Sequence, residues 1–199
     1  MLRHTAPLLL STLLSACAAD SGDTSEGGDT SASSGASDTS DTTTGAAADP
    51  YACVETMRME FAPLAGPGWD PAGGLLPPLQ DTYIVHTTQI LVKPEGIARF
   101  GELVGQISAQ LQATDGLVAY VTAQDMNCGW ARTLGIWRSE AAMYGFVASG
   151  AHLTAMAETT DISFTGKVTH WTVDADALPV GWQEAEARLA AVAPSPLYE

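Results

Sequence analysis

The sequence predicts an α+β domain, a ferredoxin-like βαββαβ unit with a four-stranded antiparallel sheet and two helices on one face. Three observations carry that expectation. Residues alternate at the period of two that a pleated segment imposes in four runs, beginning at Thr82, Leu117, Trp130 and Phe164. Two stretches between them, opening at Pro94 and at Ser139, instead space their apolar residues at three and four. The runs follow one another as strand, helix, strand, strand, helix, strand.

The first strand, Thr82 to Val92, is dense in β-branched residues. Its faces are Ile84, His86, Thr88, Ile90 and Tyr83, Val85, Thr87, Gln89, Leu91. Neither is purely polar, so both sides of the sheet should be covered. Pro94 and Glu95 start a helix whose Ile97, Phe100, Leu103, Val104, Ile107 and Leu111 form one stripe about 120° wide. Asp115-Gly116 ends it, Leu117 to Gln124 makes the second strand, and Asp125 to Gly129 turns into the third, Trp130 to Trp137. At Arg138 the period changes. Ser139 is an N-cap, Glu140 suits the positive end of a helix dipole, and Met143, Phe146 and Val147 follow at helical spacing. Ser149-Gly150 interrupts this helix, and a short second piece would carry Leu153, Met156 and Ala157 to the core. Phe164 to Val173 is the fourth strand, with Val168 and His170 on one face and Lys167, Thr169 and Trp171 on the other. Pro179 to Val192 reads as a terminal helix with Trp182, Ala185, Leu189 and Val192 inward.

Two helices cover one sheet face, which leaves the other, with its Tyr, Val, Trp and Leu, in need of a partner. A second copy packed sheet to sheet is the simplest cover and gives a homodimer. The alternative is the terminal helix together with residues 50–81, an irregular arm rich in proline and glycine that also holds Trp69, Leu75 and Leu76. Within the arm, Val54 to Phe61 is compatible with one short strand.

Residues 1–49 do not read as part of the fold. Residues 1–16 combine Arg3, an apolar run from Ala6 to Leu14 and small residues before Cys17, a secretory signal pattern too short for the roughly 20 residues that span a bilayer. Leu14-Ser15-Ala16-Cys17 resembles a bacterial lipobox, in which Cys17 is lipidated, giving stable membrane anchoring. Alanine at position 18 resembles outer-membrane sorting, so the expected location is the cell envelope, at the outer membrane. After Cys17, residues 18–49 are Ser, Thr, Gly, Ala and Asp apart from Glu26, with no aromatic, so that residues 17–49 read as a disordered tether with a reach on the order of 30 Å. From Ala18 to Asp49 it carries seven acids and no base, and the chain from Pro50 onward is at minus nine within a total of minus 15. So acidic a domain repels phosphate backbones, which excludes nucleic acid as a natural partner and leaves the membrane reachable through the lipid alone. In an oxidising envelope the remaining cysteines, Cys53 and Cys128, read first as a disulfide, with stabilisation of up to about 4 kcal/mol in the chain-entropy model. They lack the spacing of a zinc site.

His152 is the first candidate for chemistry. On an unbroken helix it would sit nine residues from Met143, roughly 180° round, and face water. A break at Gly150 places it instead in an opening helical turn, where a neutral imidazole suits a ligand or a proton acceptor. If it is an ordinary surface histidine, the helix runs straight through. Trp137, at a strand end, supplies either buried area or the wall of an aromatic pocket, a choice shared by Tyr83 and Trp171. His86 and His170 are mid-strand and can lie near one another, either as satisfied core histidines or as a metal pair that lacks a carboxylate at ligand spacing, and His86 is also a candidate for the ligand pocket. Arg132 either orients an acidic ligand or makes a plain salt bridge. No nucleophile elbow, phosphate loop, HExxH or dinucleotide fingerprint occurs.

The segment RTLGIWRSEAAMYGFVASGAH, a strand ending in Trp, then Ser-Glu, then a helix with Phe and a small-residue break before His, resembles the antibiotic biosynthesis monooxygenase superfamily of dimeric α+β barrels, nearest its spheroidene-monooxygenase-like branch. The resemblance spans about Thr82 to Val173. It implies a cleft between sheet and helices that takes a small apolar or aromatic ligand. In some members it also implies cofactor-poor oxygenation of a quinol-type substrate, or haem handling. Haem-degrading relatives build their site from an Asn, a Trp and a His, for which Trp137 and His152 are the matching positions here, while the first strand holds no asparagine. No cofactor motif is evident, and haem is the one cofactor that the resemblance brings in. Two readings follow: an envelope lipoprotein whose barrel binds such a ligand, and a tethered monooxygenase with His152 and Trp137 as catalytic groups.

Overall fold

The structure, a computed structural model, describes residues 63–125 and 128–198. The signal, Cys17, the tether, Cys53 and the strand expected at Val54 to Phe61 lie outside the described residues. The arm opens with a two-residue hairpin, β1 (Trp69–Asp70) and β2 (Gly74–Leu75), and β3 (Thr82–Val92) then begins the main sheet. After a 3-10 turn at Pro94–Gly96 come α1 (Ile97–Gln112), β4 (Leu117–Asp125) and β5 (Trp130–Trp137). The second helical region is three pieces, α2 (Glu140–Val147), α3 (Gly150–Ala157) and α4 (Thr159–Ile162), followed by β6 (Ser163–Asp174) and α5 (Trp182–Ala190). The sheet order β4-β5-β3-β6, antiparallel throughout, is that of a ferredoxin-like α+β fold.

Local chemistry explains the hinge after β5. Ser139 is extended, and its Oγ accepts the Ala142 N–H at 3.2 Å, which starts α2 with only two residues between it and the end of β5. Gly150 adopts φ +54°, a left-handed conformation that costs a glycine little, and this separates α3 from α2. The break does not bring Leu153, Met156 and Ala157 to the core as expected. Those three are exposed, and Ala151, His152 and Ala155 form the half-buried side of α3. The turn at Gly150 sets the helix so that its small residues face the domain.

Two cores lie on opposite sides of the sheet. Beneath the helices, Leu111, Leu117, Trp137, Met143 and Phe146 form the smaller one. On the other side Tyr83, Val85, Val118, Val121, Leu134, Ile136 and Trp171 pack with Val180 and Ala185, and with Leu64, Trp69 and Leu75 of the arm. The chain therefore covers its own second sheet face with α5 and the arm, the alternative to a second copy. Leu76, also in the arm, packs less completely and is 38% exposed. Both sheet edges are also lined from within the chain. Ala65 exchanges backbone bonds with Tyr120 on β4 at 3.1 and 2.9 Å, and Ser195 N–H donates to the Gly166 carbonyl on β6 at 2.7 Å. Among the described residues no helix is long and apolar enough to cross a membrane.

Candidate functional site

The residues expected to share one pocket are divided by the sheet. Tyr83, Arg132 and Trp171 belong to the face under α5, whereas His86, Trp137 and His170 belong to the face under α1, α2 and α3. The alternation forces this, because Gln89 pairs with Arg132 and Val85 with Trp171, while Ile84 pairs with Trp137 and His86 with His170. On the first face the polar groups are structural. The Tyr83 hydroxyl accepts the Gln80 N–H at 3.1 Å, which ties the arm to the strand. Arg132, only 2% exposed, donates from Nε to Gln89 Oε1 at 2.7 Å and from a terminal nitrogen to Glu186 Oε1 at 2.5 Å, which pins α5 to the sheet. Trp171 lies under the Arg188 guanidinium at 5.0 Å, and its buried N–H meets no acceptor among the described residues. None of the three reaches the histidines.

On the helix side the arrangement is different. Trp137 is fully buried, and its Nε1–H donates to His86 Nδ1 at 2.7 Å. Indole is a donor only, so this bond leaves the neutral His86 ring with its proton on Nε2. The imidazole lies across β5 where a glycine makes room: a Cβ on Gly135 would meet His86 Cε1 at 2.2 Å. Rings continue from there, with Trp137 against Phe146 at 5.2 Å and Phe146 against His152 at 4.7 Å between centroids. His152 Nδ1 is 3.2 Å from the Val147 carbonyl, an acceptor, so Nδ1 carries the proton and Nε2 keeps a lone pair. His170, the cross-strand neighbour of His86, holds Glu140 Oε1 at 3.0 Å and meets Tyr144 edge to face at 5.7 Å. Glu140 and Tyr144, four apart on α2, were not among the expected site residues; their i,i+4 spacing on the helix that leads to His152 is the signal that points to them.

Both inner histidines are held neutral at pH 7. Burial lowers His86 from 6.5 to about 4, the neighbouring His152 and His170 add to this, and a hydrogen bond at the Gly135 backbone opposes it. His152 is also lowered, by burial first, against the pull of the Val147 carbonyl. Coverage here is incomplete: Ile84, His86, Thr88 and Ile90 of β3 are each half-buried, and Phe164 and Val168 on β6 are more than half exposed. The result is an open strip of apolar and imidazole surface. Separate clefts lie elsewhere, one of about 560 Å³ at Leu75, Leu79, Asp81, Asp174 and Asp176, another of about 230 Å³ at Gly68, Gln112, Asp115 and Arg138, and neither contains a histidine. Among the described residues no group of three His, Cys, Asp or Glu is placed to hold a metal ion. The donor set does not fit haem either. Trp137 is wholly buried with its N–H bound to His86, and so offers no wall to a macrocycle. Cys128 is disulfide-bonded, at the turn between β4 and β5 and away from this strip.

No protein-family model matches the chain, and no curated protein matches it. Solved structures of similar shape include proposed monooxygenases from Lactobacillus acidophilus and Fusobacterium nucleatum. Each is 13% identical, with TM-scores of 0.42 and 0.47, over 48% and 59% of this chain. The matched parts span 46% and 50% of those two proteins, about half their length. An antibiotic biosynthesis monooxygenase matches at 18% identity and TM-score 0.41, over 44% of this chain and 95% of its own. Likenesses of this degree assign no activity to this chain.

Proposed function

We propose that the open strip between β3, β6 and α2–α3 binds a small aromatic or apolar ligand, and that a lipid at Cys17 presents the domain at the bacterial cell envelope, in the outer membrane. One observation carries the ligand reading: His86, His152 and His170 come from three elements to one incompletely covered apolar surface. Rings and aliphatic side chains supply the contact area, and the neutral His152 imidazole supplies an acceptor at Nε2, while His86 is held by Trp137 and the Gly135 backbone as part of the wall. An acceptor beside rings suits a ring bearing a hydroxyl. The test is an NMR titration of the full chain with 2-naphthol. Ring signals of His86 and His152 should shift together and saturate. No shift at millimolar probe, or shifts confined to the α5 face, would refute the reading.

A catalytic reading has its own support. The free lone pair of a neutral His152 can accept a proton from a hydroxylated ring, the first step of a cofactor-poor oxygenation of a quinol-type substrate. Oxygen uptake with a naphthoquinol, lost in His152→Ala, is the expected signature. Equal uptake by the variant would reject it. Hemin titration provides the parallel check on haem and should give no Soret shift that depends on His152.

A further inference from the structure

The break that delivers His152 is bridged by one side chain from another helix. Gln110, in the last turn of α1, places its amide between the end of α2 and the start of α3. Its Nε2 lies 3.3 Å from the Phe146 carbonyl, 3.0 Å from the Ser149 carbonyl and 3.3 Å from Ser149 Oγ, while its Oε1 accepts the His152 backbone N–H at 3.0 Å. Helix ends leave carbonyls at one terminus and N–H groups at the other without intrahelical partners. A primary amide serves both needs at once from two separate atoms, with two donors on nitrogen and an acceptor on oxygen. The fit is close, since a Cβ on Gly150 would come within 2.9 Å of the Gln110 amide carbon and oxygen. Gly150 therefore supplies both the left-handed turn and the space for the amide.

We propose that Gln110 is a positioning residue for His152: by clamping the α2–α3 break and holding the His152 backbone, it keeps the imidazole against Phe146 and the Val147 carbonyl, with Nε2 unbound. This rests on the reading of His152 as a site group and adds the residue that sets its orientation. Sequence periodicity hides such a role, because Gln110 is a polar, half-buried position beside the apolar stripe of α1. What singles it out is that one side chain bonds three backbone groups across a break between two helices.

The experiment is a histidine-resolved NMR titration of the full chain without ligand, comparing wild type with Gln110→Met and Gln110→Glu. Methionine keeps the length and apolar stem but makes none of the bonds. Glutamate keeps the acceptor for His152 N–H but sets an oxygen against the Phe146 and Ser149 carbonyls. In wild type His152 should titrate below 6.5, next to His86 from β3 and His170 from β6. In Gln110→Met the His152 midpoint should rise towards 6.5 as the ring leaves its buried seat, its nitrogen shifts should lose the Nδ1–H tautomer, and the His86 midpoint should rise with it. Gln110→Glu should move both in the same direction. A purely structural glutamine would lower the melting temperature and leave the His152 midpoint and tautomer unchanged in both variants, and that result overturns the proposal. The readout needs no ligand, so failure of the 2-naphthol titration and failure of the Gln110 titration are separate results.

Discussion

On the face under α5, β3 buries Tyr83, Val85, Thr87 and Gln89, whereas on the face under α1–α3 the alternate residues Ile84, His86, Thr88 and Ile90 stay half-covered. The strands are the same, and only the cover differs. A closed face must pair every polar group it takes in, and Arg132 does so with Gln89 and Glu186. An open face can keep polar atoms available, and among the described residues none bonds His152 Nε2. Burial and hydrogen bonding thus mark Arg132 as a strut and leave the histidines as the groups proposed to meet a ligand, although residue type alone would make all of them candidates.

That contrast can be broken most forcefully at the closed core. Leu134→Ala removes a 1% exposed side chain from under α5 and should cost about 2–5 kcal/mol in urea denaturation. A loss below 1 kcal/mol would mean that α5 does not seal this face in solution. Next comes Glu186→Ala, which leaves the buried Arg132 guanidinium with Gln89 alone. Glu186 is 47% exposed, so the cost should be nearer about 1–3 kcal/mol than that of a fully buried pair. The same closed face predicts a monomer in solution, and light scattering at micromolar concentration checks it.

On the open face the expected effects concern pH more than stability. With a folded pKa near 4 against an ordinary 6.5, His86 binds its proton more readily when the chain is unfolded. Its contribution is therefore complete above pH 6.5 and is lost as pH falls towards 4. His86→Asn keeps an acceptor near Trp137 Nε1 but does not titrate, so its melting temperature should fall less steeply between pH 6.5 and 4 than that of wild type. Parallel slopes would show that His86 is not buried in solution. The smallest effect belongs to Val168→Ser, an exposed position on β6 that should change stability by less than about 0.5 kcal/mol while weakening 2-naphthol binding.

Much of this was legible from the chain. Alternation placed β3 at Thr82–Val92 and β5 at Trp130–Trp137, because β-branched and aromatic residues at period two suit a pleat and little else. Ser139 and Gly150 marked the start of α2 and its separation from α3 by cap chemistry and by the freedom of glycine. Harder to read were α4, four residues with no periodic signature, and the outward turn of Leu153 and Met156, which depends on how α3 meets α1. Gln110 escaped notice because a bridge between helices leaves no local pattern.

The sequence by itself determined the order of the elements, the members of each sheet face and the break before His152, since these follow from short-range periodicity, capping and backbone freedom. Only the tertiary structure decided which face is sealed and which is open. Alternation tells which residues stand together on a strand. It does not tell what packs over them, and that depends on where α5 and the arm, distant in sequence, come to rest.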